Sequence, residues 1–450
     1  MRQGVGAALL AGAVAALSAW GSAASAPGAA AGTGGPSPPD TVRVVVAHDL
    51  DSAEVYADGE ARLLVPGTPP GGRTVGRAPR YRAWTLRARG GDVSASGPGL
   101  ERPRRFDSLA LVPADPEASL FLEGRPYRGR AVVYPVEGHG LVLRNDVPLE
   151  PYVAAVVSAE LGPAGRDVEE AVKAMAVAAR TFAVSFRGRR DSLRADLLAT
   201  GSDQVYRGRL AERPRVTRWS RATAGELLLH GGEPIRAYYH AACGGRTARP
   251  EDIWERAGAD YLRSVPDTAS DGGDFCGVAP LHRWRRRWSR PEFRAALRSG
   301  AAAAATGETL RAVSVRERSS TGRVTALEAI LGTHSGTGED TVVVEKDGLL
   351  ALVPPGGTGL PSTWFEIVRA PPRADSVVVR GRGSGHGVGL CQWGAIGRAR
   401  SGQSYREILR AYYPGTAVGE APRSGPARTI NALGPTADAR TVPSASSGPP

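Results

Sequence analysis

The residues best placed to do chemistry are one glutamate and three cysteines. In Val153-Ala154-Ala155-Val156-Val157-Ser158-Ala159-Glu160, the residues Val153, Val156, Val157 and Glu160 fall at i, i+3, i+4 and i+7, one face of a helix. A carboxylate therefore continues an apolar stripe, just before Gly162-Pro163 stops the element. Burial without a charged partner raises a carboxyl pKa and keeps the group protonated toward neutral pH. A neutral carboxylic acid beside apolar side chains is what a general acid for glycosidic cleavage requires. Local pattern alone leaves a second reading, in which the helix end frays and Glu160 reaches water.

The cysteines number three, Cys243, Cys276 and Cys391, and His240 stands three residues before the first. Together they make up a Cys₃His set, a standard structural zinc shell when closed. An exported chain more commonly spends cysteines on disulfides, and Cys243–Cys276 is the natural pair. That pairing leaves Cys391 as an odd thiol. Zinc, the disulfide and unlinked thiols all stand open at this point.

These groups must be held by a sizeable fold. The chain has 450 residues, 42 % of them hydrophobic and 6 % aromatic, enough for two or three packed layers. The formal charge is +12, nearly all of the excess arginine, which suits a polyanion: nucleic acid, anionic lipid or an anionic cell-wall polymer. The arginines are spread along the chain without a nucleic-acid motif, so nucleic acid is not expected as a partner. Residues 1–26 read as a secretory signal peptide: Arg2, an apolar run from Val5 to Trp20, then Ala24-Ser25-Ala26. The mature chain is expected in the periplasm or cell wall. Its sole membrane contact would be an uncleaved signal segment, since no cysteine follows the run to carry a lipid.

Residues 27–40 are a flexible linker and 421–450 a disordered tail by composition. Between them the pattern predicts an α+β fold with strands dominant, a β-rich region over 41–135 and the region holding the site over 136–420. Phe121–Gly129 followed by Ala131–Tyr134 reads as a hairpin. A second helix is expected from Val168 to Phe186. Ser289-Arg290-Pro291-Glu292 and Ser404-Tyr405-Arg406-Glu407 are capping boxes, and a hairpin is expected around Ser320-Thr321-Gly322.

The segments carrying these residues occur in a telling order. Leu149-Glu150-Pro151-Tyr152-Val153, Ala159-Glu160-Leu161, Val177-Ala178-Ala179-Arg180-Thr181-Phe182, Gln204-Val205-Tyr206-Arg207-Gly208 and Cys243-Gly244-Gly245-Arg246-Thr247 come first. Gly383-Ser384-Gly385-His386-Gly387-Val388-Gly389-Leu390-Cys391-Gln392-Trp393-Gly394-Ala395 follows. The series resembles the SpoIID/LytB family, named for the stage II sporulation protein D and an amidase enhancer, over roughly residues 120–416. The resemblance implies peptidoglycan glycan strands as substrate and lytic transglycosylation between N-acetylmuramic acid and N-acetylglucosamine, with a 1,6-anhydro product and Glu160 as the acid. It also implies the other reading, a non-catalytic glycan-binding enhancer of a cell-wall amidase, in which Glu160 is dispensable. Some members carry a metal near the site. A basic wall-binding protein without turnover would need only the arginines and the linker.

The remaining site residues follow from these segments. Arg180 would orient Glu160 or hold a sugar or peptide carboxylate through a bidentate contact, the alternative being a structural arginine. Gln204 and Tyr206 would bind sugar by amide hydrogen bonds and stacking, the alternative being packed strand residues. His386 and Gln392 would meet substrate at the glycine-rich loop, where missing side chains let a glycan approach the backbone. That loop lacks the spacing and the lysine of a nucleotide motif.

Overall fold

The computed structural model describes residues 41–67, 71–162, 165–255, 258–300, 307–332 and 338–420. The expected signal peptide, linker and C-terminal tail lie outside them, as does Pro163. The chain is α+β and strand-rich.

Alternation builds the first layers. In the strand Thr41–Leu50, Val42 and Val44 face the main core while Val45 faces the other side. This strand lies second in a seven-stranded sheet ordered Leu197–Leu198, Thr41–Leu50, Gly140–Pro148, Arg130–Val136, Leu109–Pro113, Ala61–Val65 and Arg73–Ala78. A six-stranded sheet, ordered Arg125–Tyr127, Leu120–Leu122, Ser52–Ala57, Trp84–Arg89, Asp92–Gly97 and Leu100–Phe106, shares that core through Val55, Trp84 and Leu86. The expected hairpin is corrected here. The chain turns back at Glu123-Gly124, both with positive φ, so Leu120–Leu122 pairs Arg125–Tyr127. Ala131–Tyr134 instead belong to the other sheet, between Leu109–Pro113 and Gly140–Pro148.

Helix α1 (Leu149–Leu161) continues directly from the strand ending at Pro148. Every residue from Tyr152 to Ser158 is buried, so α1 is enclosed on all sides, more than a single apolar stripe demands. Ala154 and Ala155 make that closeness sterically feasible. Helix α2 (Glu169–Ser185) is equally enclosed and packs on α1, on α3 (Pro214–Arg221) and on the strand Glu226–His230. Its observed ends fall one residue inside the expected ones.

A second core stands apart from the first. It is built by the strand Arg283–Ser289, helix α4 (Arg290–Gly300) opened by the Ser289/Glu292 capping box, and the hairpin Thr309–Arg318 with Val324–Gly332. Glu339–Glu345, Phe365–Arg369 and Ser376–Arg382 complete it around Trp284, Trp288, Phe293, Leu331 and Val379. The unit leaves and re-enters at adjacent points, because Arg283 is the register partner of Arg382. The glycine-rich segment that follows is thereby placed beside the Cys276 loop. Helices α5 (Gln392–Arg400) and α6 (Tyr405–Tyr412), the latter capped by Ser404 and Glu407, return the chain to the first core against α2. Among the described residues no helix is long and apolar enough to cross a membrane.

Candidate active site

Glu160 sits in the last turn of α1, half-buried, with one hydrogen-bond donor on each carboxylate oxygen. The Val205 N–H donates to Oε1 at 3.0 Å, and the Gln392 Nε2 amide donates to Oε2 at 3.0 Å. Burial raises the carboxyl above its ordinary value. The two donors and the more distant Arg207 cation pull it down without cancelling that effect. No acidic neighbour contributes to the shift among the described residues. Each carboxylate oxygen has two lone pairs, so a proton can sit on either oxygen while both hydrogen bonds persist. The arrangement is a lone carboxyl poised to give and take one proton.

The positioning elements are short and come from far apart. Residues 204–206 pass the end of α1 in no regular element, with Gln204 and Tyr206 buried and the Val205 N–H between them meeting Glu160. Gln392 opens α5, whose N-cap is Cys391: the Gly394 N–H donates to Cys391 Sγ.

The sequence-predicted substrate ligands take other places. Arg180 is fully buried and makes a bidentate pair with Glu150, Nε to Oε1 at 2.7 Å and Nη2 to Oε2 at 2.8 Å. It also donates to the carbonyls of Glu226 and Ser220. Glu150 is ten residues before Glu160 on α1, about 15 Å along the axis at 1.5 Å per residue. Arg180 therefore ties the start of α1 to α2 and α3 and does not orient Glu160. Gln204, fully buried, accepts from the Tyr152 hydroxyl and donates to the Tyr239 hydroxyl and the Ala179 carbonyl. The Tyr206 hydroxyl donates to Asn145 Oδ1 at 2.8 Å, and its ring packs on those of Tyr127 and Tyr152. Both residues are packed and satisfied inside the core and do not present their side chains to a glycan. The segment meets Glu160 through the Val205 N–H, a contact that no side-chain pattern reveals.

His386 is fixed rather than free. Its Nδ1 accepts from the Val388 N–H at 3.1 Å, which puts the proton on Nε2, facing the Tyr239 carbonyl at 2.9 Å. Burial pushes its pKa down to about 4, so the ring is neutral and braces the glycine-rich loop. Of the sequence-predicted ligands, Gln392 alone is hydrogen-bonded to Glu160.

Behind Gln392 lies the cysteine cluster. Cys243, Cys276 and Cys391 are buried free thiols. The Cys243 and Cys276 sulfurs lie 3.5 Å apart, well beyond the roughly 2.0 Å of a disulfide. The fourth group is Asp267, whose Oδ2 is 3.2 Å from Cys243 Sγ; one ligand atom from each of the four lies within 4.8 Å of the others. The expected His240 is not part of this set. It closes the strand Tyr239–His240, the chain bends at Ala241 before Cys243, and neither ring nitrogen joins the four ligand atoms that lie within 4.8 Å of one another. His240 Nδ1 meets the Val388 carbonyl at 3.2 Å, and burial holds its pKa well below the usual histidine range. Asp267 stands 24 residues beyond Cys243 with no motif spacing to announce it, which is why the sequence did not yield it.

Comparison with known proteins fits this geometry. A family model described as Stage II sporulation protein matches residues 137–230, which hold α1, α2 and the Val205 segment. A model for a domain of unknown function (DUF8618) matches residues 276–389, which contain the second core. An uncharacterized protein of Brachyspira hyodysenteriae is 30% identical over 298 residues, covering 66% of this chain and 73% of its own. Stage II sporulation protein D of Bacillus subtilis is 28% identical over 292 residues, covering 62% of this chain and 76% of its own. The chain belongs to the SpoIID/LytB family. The amidase enhancer of Bacillus subtilis is also a relative, 26% identical over 55% of this chain and 38% of its own. In SpoIID/LytB terms, the family model spans Glu160 and Val205, while Gln392 and the cysteine cluster come from chain beyond its match.

Proposed function

We propose that this SpoIID/LytB protein is an exported cell-wall enzyme that cleaves peptidoglycan glycan strands by lytic transglycosylation through Glu160. The observation that carries the reading is the single carboxyl of raised pKa, clamped by the Val205 N–H and the Gln392 amide, without a second carboxylate acting on it. Hydrolytic glycosidases ordinarily need two carboxyl groups, one of them to activate water or form the glycosyl-enzyme. An intramolecular displacement needs one. Glu160 gives its proton to the glycosidic oxygen as the bond from C1 of muramic acid to that oxygen breaks. The resulting carboxylate then accepts the proton of the C6 hydroxyl as O6 bonds C1, closing the 1,6-anhydro ring. Atoms balance without water, and the carboxyl ends as it began.

The test is digestion of denuded and peptide-bearing glycan strands by the wild-type chain and by Glu160→Gln, read by mass spectrometry. Anhydro ends from the wild type and none from the variant are expected. Reducing ends would make the protein a hydrolase. The amidase-enhancer relative supports a second reading, glycan binding that stimulates a cell-wall amidase. Strands bound but uncut by both proteins, with amidase activity raised equally by both, would establish that reading instead.

A further inference from the structure

We infer that Cys243, Cys276, Cys391 and Asp267 bind one structural zinc ion. The inference concerns the cluster behind Gln392 and does not depend on what Glu160 does.

Three observations carry it. The first is fit. A tetrahedral zinc with sulfurs at about 2.3 Å and an oxygen at about 2.0–2.2 Å separates two sulfurs by roughly 3.8 Å and a sulfur from the oxygen by roughly 3.5 Å. The corresponding separations here are 3.5 Å for Cys243–Cys276 and 3.2 Å for Cys243–Asp267. The second is support around the ligands. The Cys243 and Gly394 N–H groups each donate to Cys391 Sγ at 3.2 Å, and the Gly245 N–H donates to Cys243 Sγ at 3.4 Å. The other Asp267 oxygen accepts from the Tyr412 hydroxyl at 2.6 Å and from Arg398 Nε at 3.3 Å. Partners that orient a ligating carboxylate and donors that face ligating sulfurs are the outer shell of a metal centre.

The third observation is charge. Arg323 is 1% exposed, and its Nη2 donates to the Cys243 and Arg246 carbonyls. Its Nε and Nη1 have no hydrogen-bond partner among the described residues. A buried cation needs a counter-charge. Three thiolates and the Asp267 carboxylate around a dication leave a centre more negative than three neutral thiols beside that carboxylate, and this charge adds to that of Asp252 in balancing the guanidinium.

The location gives the ion a task. Cys276 and Cys391 flank the second unit on either side, and Cys243 belongs to the first core, so the ion pins both crossings of the chain to one point. Cys391 is also the N-cap of α5, one residue before the amide that holds Glu160.

The test is the metal content of the purified full-length chain, followed by cobalt(II) in place of zinc. About one zinc per chain and intense thiolate-to-cobalt charge-transfer bands in the near ultraviolet are expected. His240→Ala should keep both, while Asp267→Ala should weaken zinc by more than about tenfold. Tyr412→Phe leaves every ligand in place and should still cost about tenfold or more in affinity, which guards against misfolding of the ligand variant. The wild-type cobalt spectrum needs no variant at all. Absence of zinc and of the charge-transfer bands, or a Cys243–Cys276 disulfide in the unreduced protein, would overturn the site. Loss of zinc in His240→Ala with retention in Asp267→Ala would overturn the ligand set.

Discussion

Gln392 Nε2 and Glu160 Oε2 lie 3.0 Å apart although 232 residues separate them in the chain. The amide reaches the carboxylate from the first residue of α5, and the Val205 N–H fixes the other oxygen from a third segment. Glu160 is thus the meeting point of the family-matched helices and of the C-terminal glycine-rich loop. Neither half of the chain makes the site alone.

The hydrogen bond has a direction in pH. A donor facing the carboxylate favours its ionised form, and Gln392 accordingly lowers a pKa that burial raises. Gln392→Leu removes that donor, so the Glu160 pKa should climb further. The proposed mechanism needs the acid protonated, so the alkaline fall in the rate of anhydro-sugar formation should move to higher pH. Turnover at the optimum should drop by about 10²-fold as the carboxyl loses its orientation. A pH–rate profile of the variant reads both effects together. A lower rate with an unmoved alkaline limb would mean that the amide serves substrate and not the acid.

Stability should answer to the same residue. Glu160 has a folded-state pKa above its unfolded value, so its contribution to stability is fully present below the unfolded pKa, near 4.5. That contribution is lost as pH rises through the folded pKa. Glu160→Gln has nothing to ionise, and its loss of function should therefore be accompanied by gained stability relative to wild type toward neutral pH. Urea unfolding of both proteins at pH 4 and at pH 8 measures it. The gap between them should widen with pH.

The sequence carried the α+β class, both capping boxes, the hairpin around Gly322 and the placement of Glu160 at the end of a buried helix. These are local facts: helical period, turn residues and a cap at fixed spacing. What it could not carry was which side chains meet across the chain. Gln204 and Tyr206 sit in a segment that touches Glu160, yet their side chains are hydrogen-bonded inside the core and the intervening backbone N–H makes the contact. His240 was drawn to the cysteines by proximity in sequence, while Asp267 reached them through folding. Backbone donors and long-range partners have no signature in one sequence.

Arg180 offers a clean separation of structural from substrate-binding roles. Its guanidinium is buried and paired with Glu150, so Arg180→Met strands a partly buried carboxylate and empties several carbonyl contacts. A loss of about 3–5 kcal/mol is expected from breaking such a pair. Anhydro-sugar formation per folded molecule, measured below the unfolding transition, should stay near wild type, with the KM for glycan strands unchanged. A raised KM in a stable variant would return Arg180 to the binding site.

Gly394 tests how tightly the cluster and the acid are joined. A methyl group there would run into the Tyr412 hydroxyl and the Asp267 carboxylate, because the first turn of α5 packs directly against both. Relief requires α5 to shift outward, and Gln392 stands two residues earlier on the same turn. Gly394→Ala should therefore destabilise the protein by about 1–3 kcal/mol through overpacking. It should also lower anhydro-sugar formation, although no reacting group has changed. The decisive comparison is with Gly402→Ala, at a glycine with open space around it just beyond α5. That variant should leave activity intact, its positive φ costing stability alone. Equal activity losses in the two variants would mean that general instability of this segment, and not displacement of Gln392, sets the rate of anhydro-sugar formation.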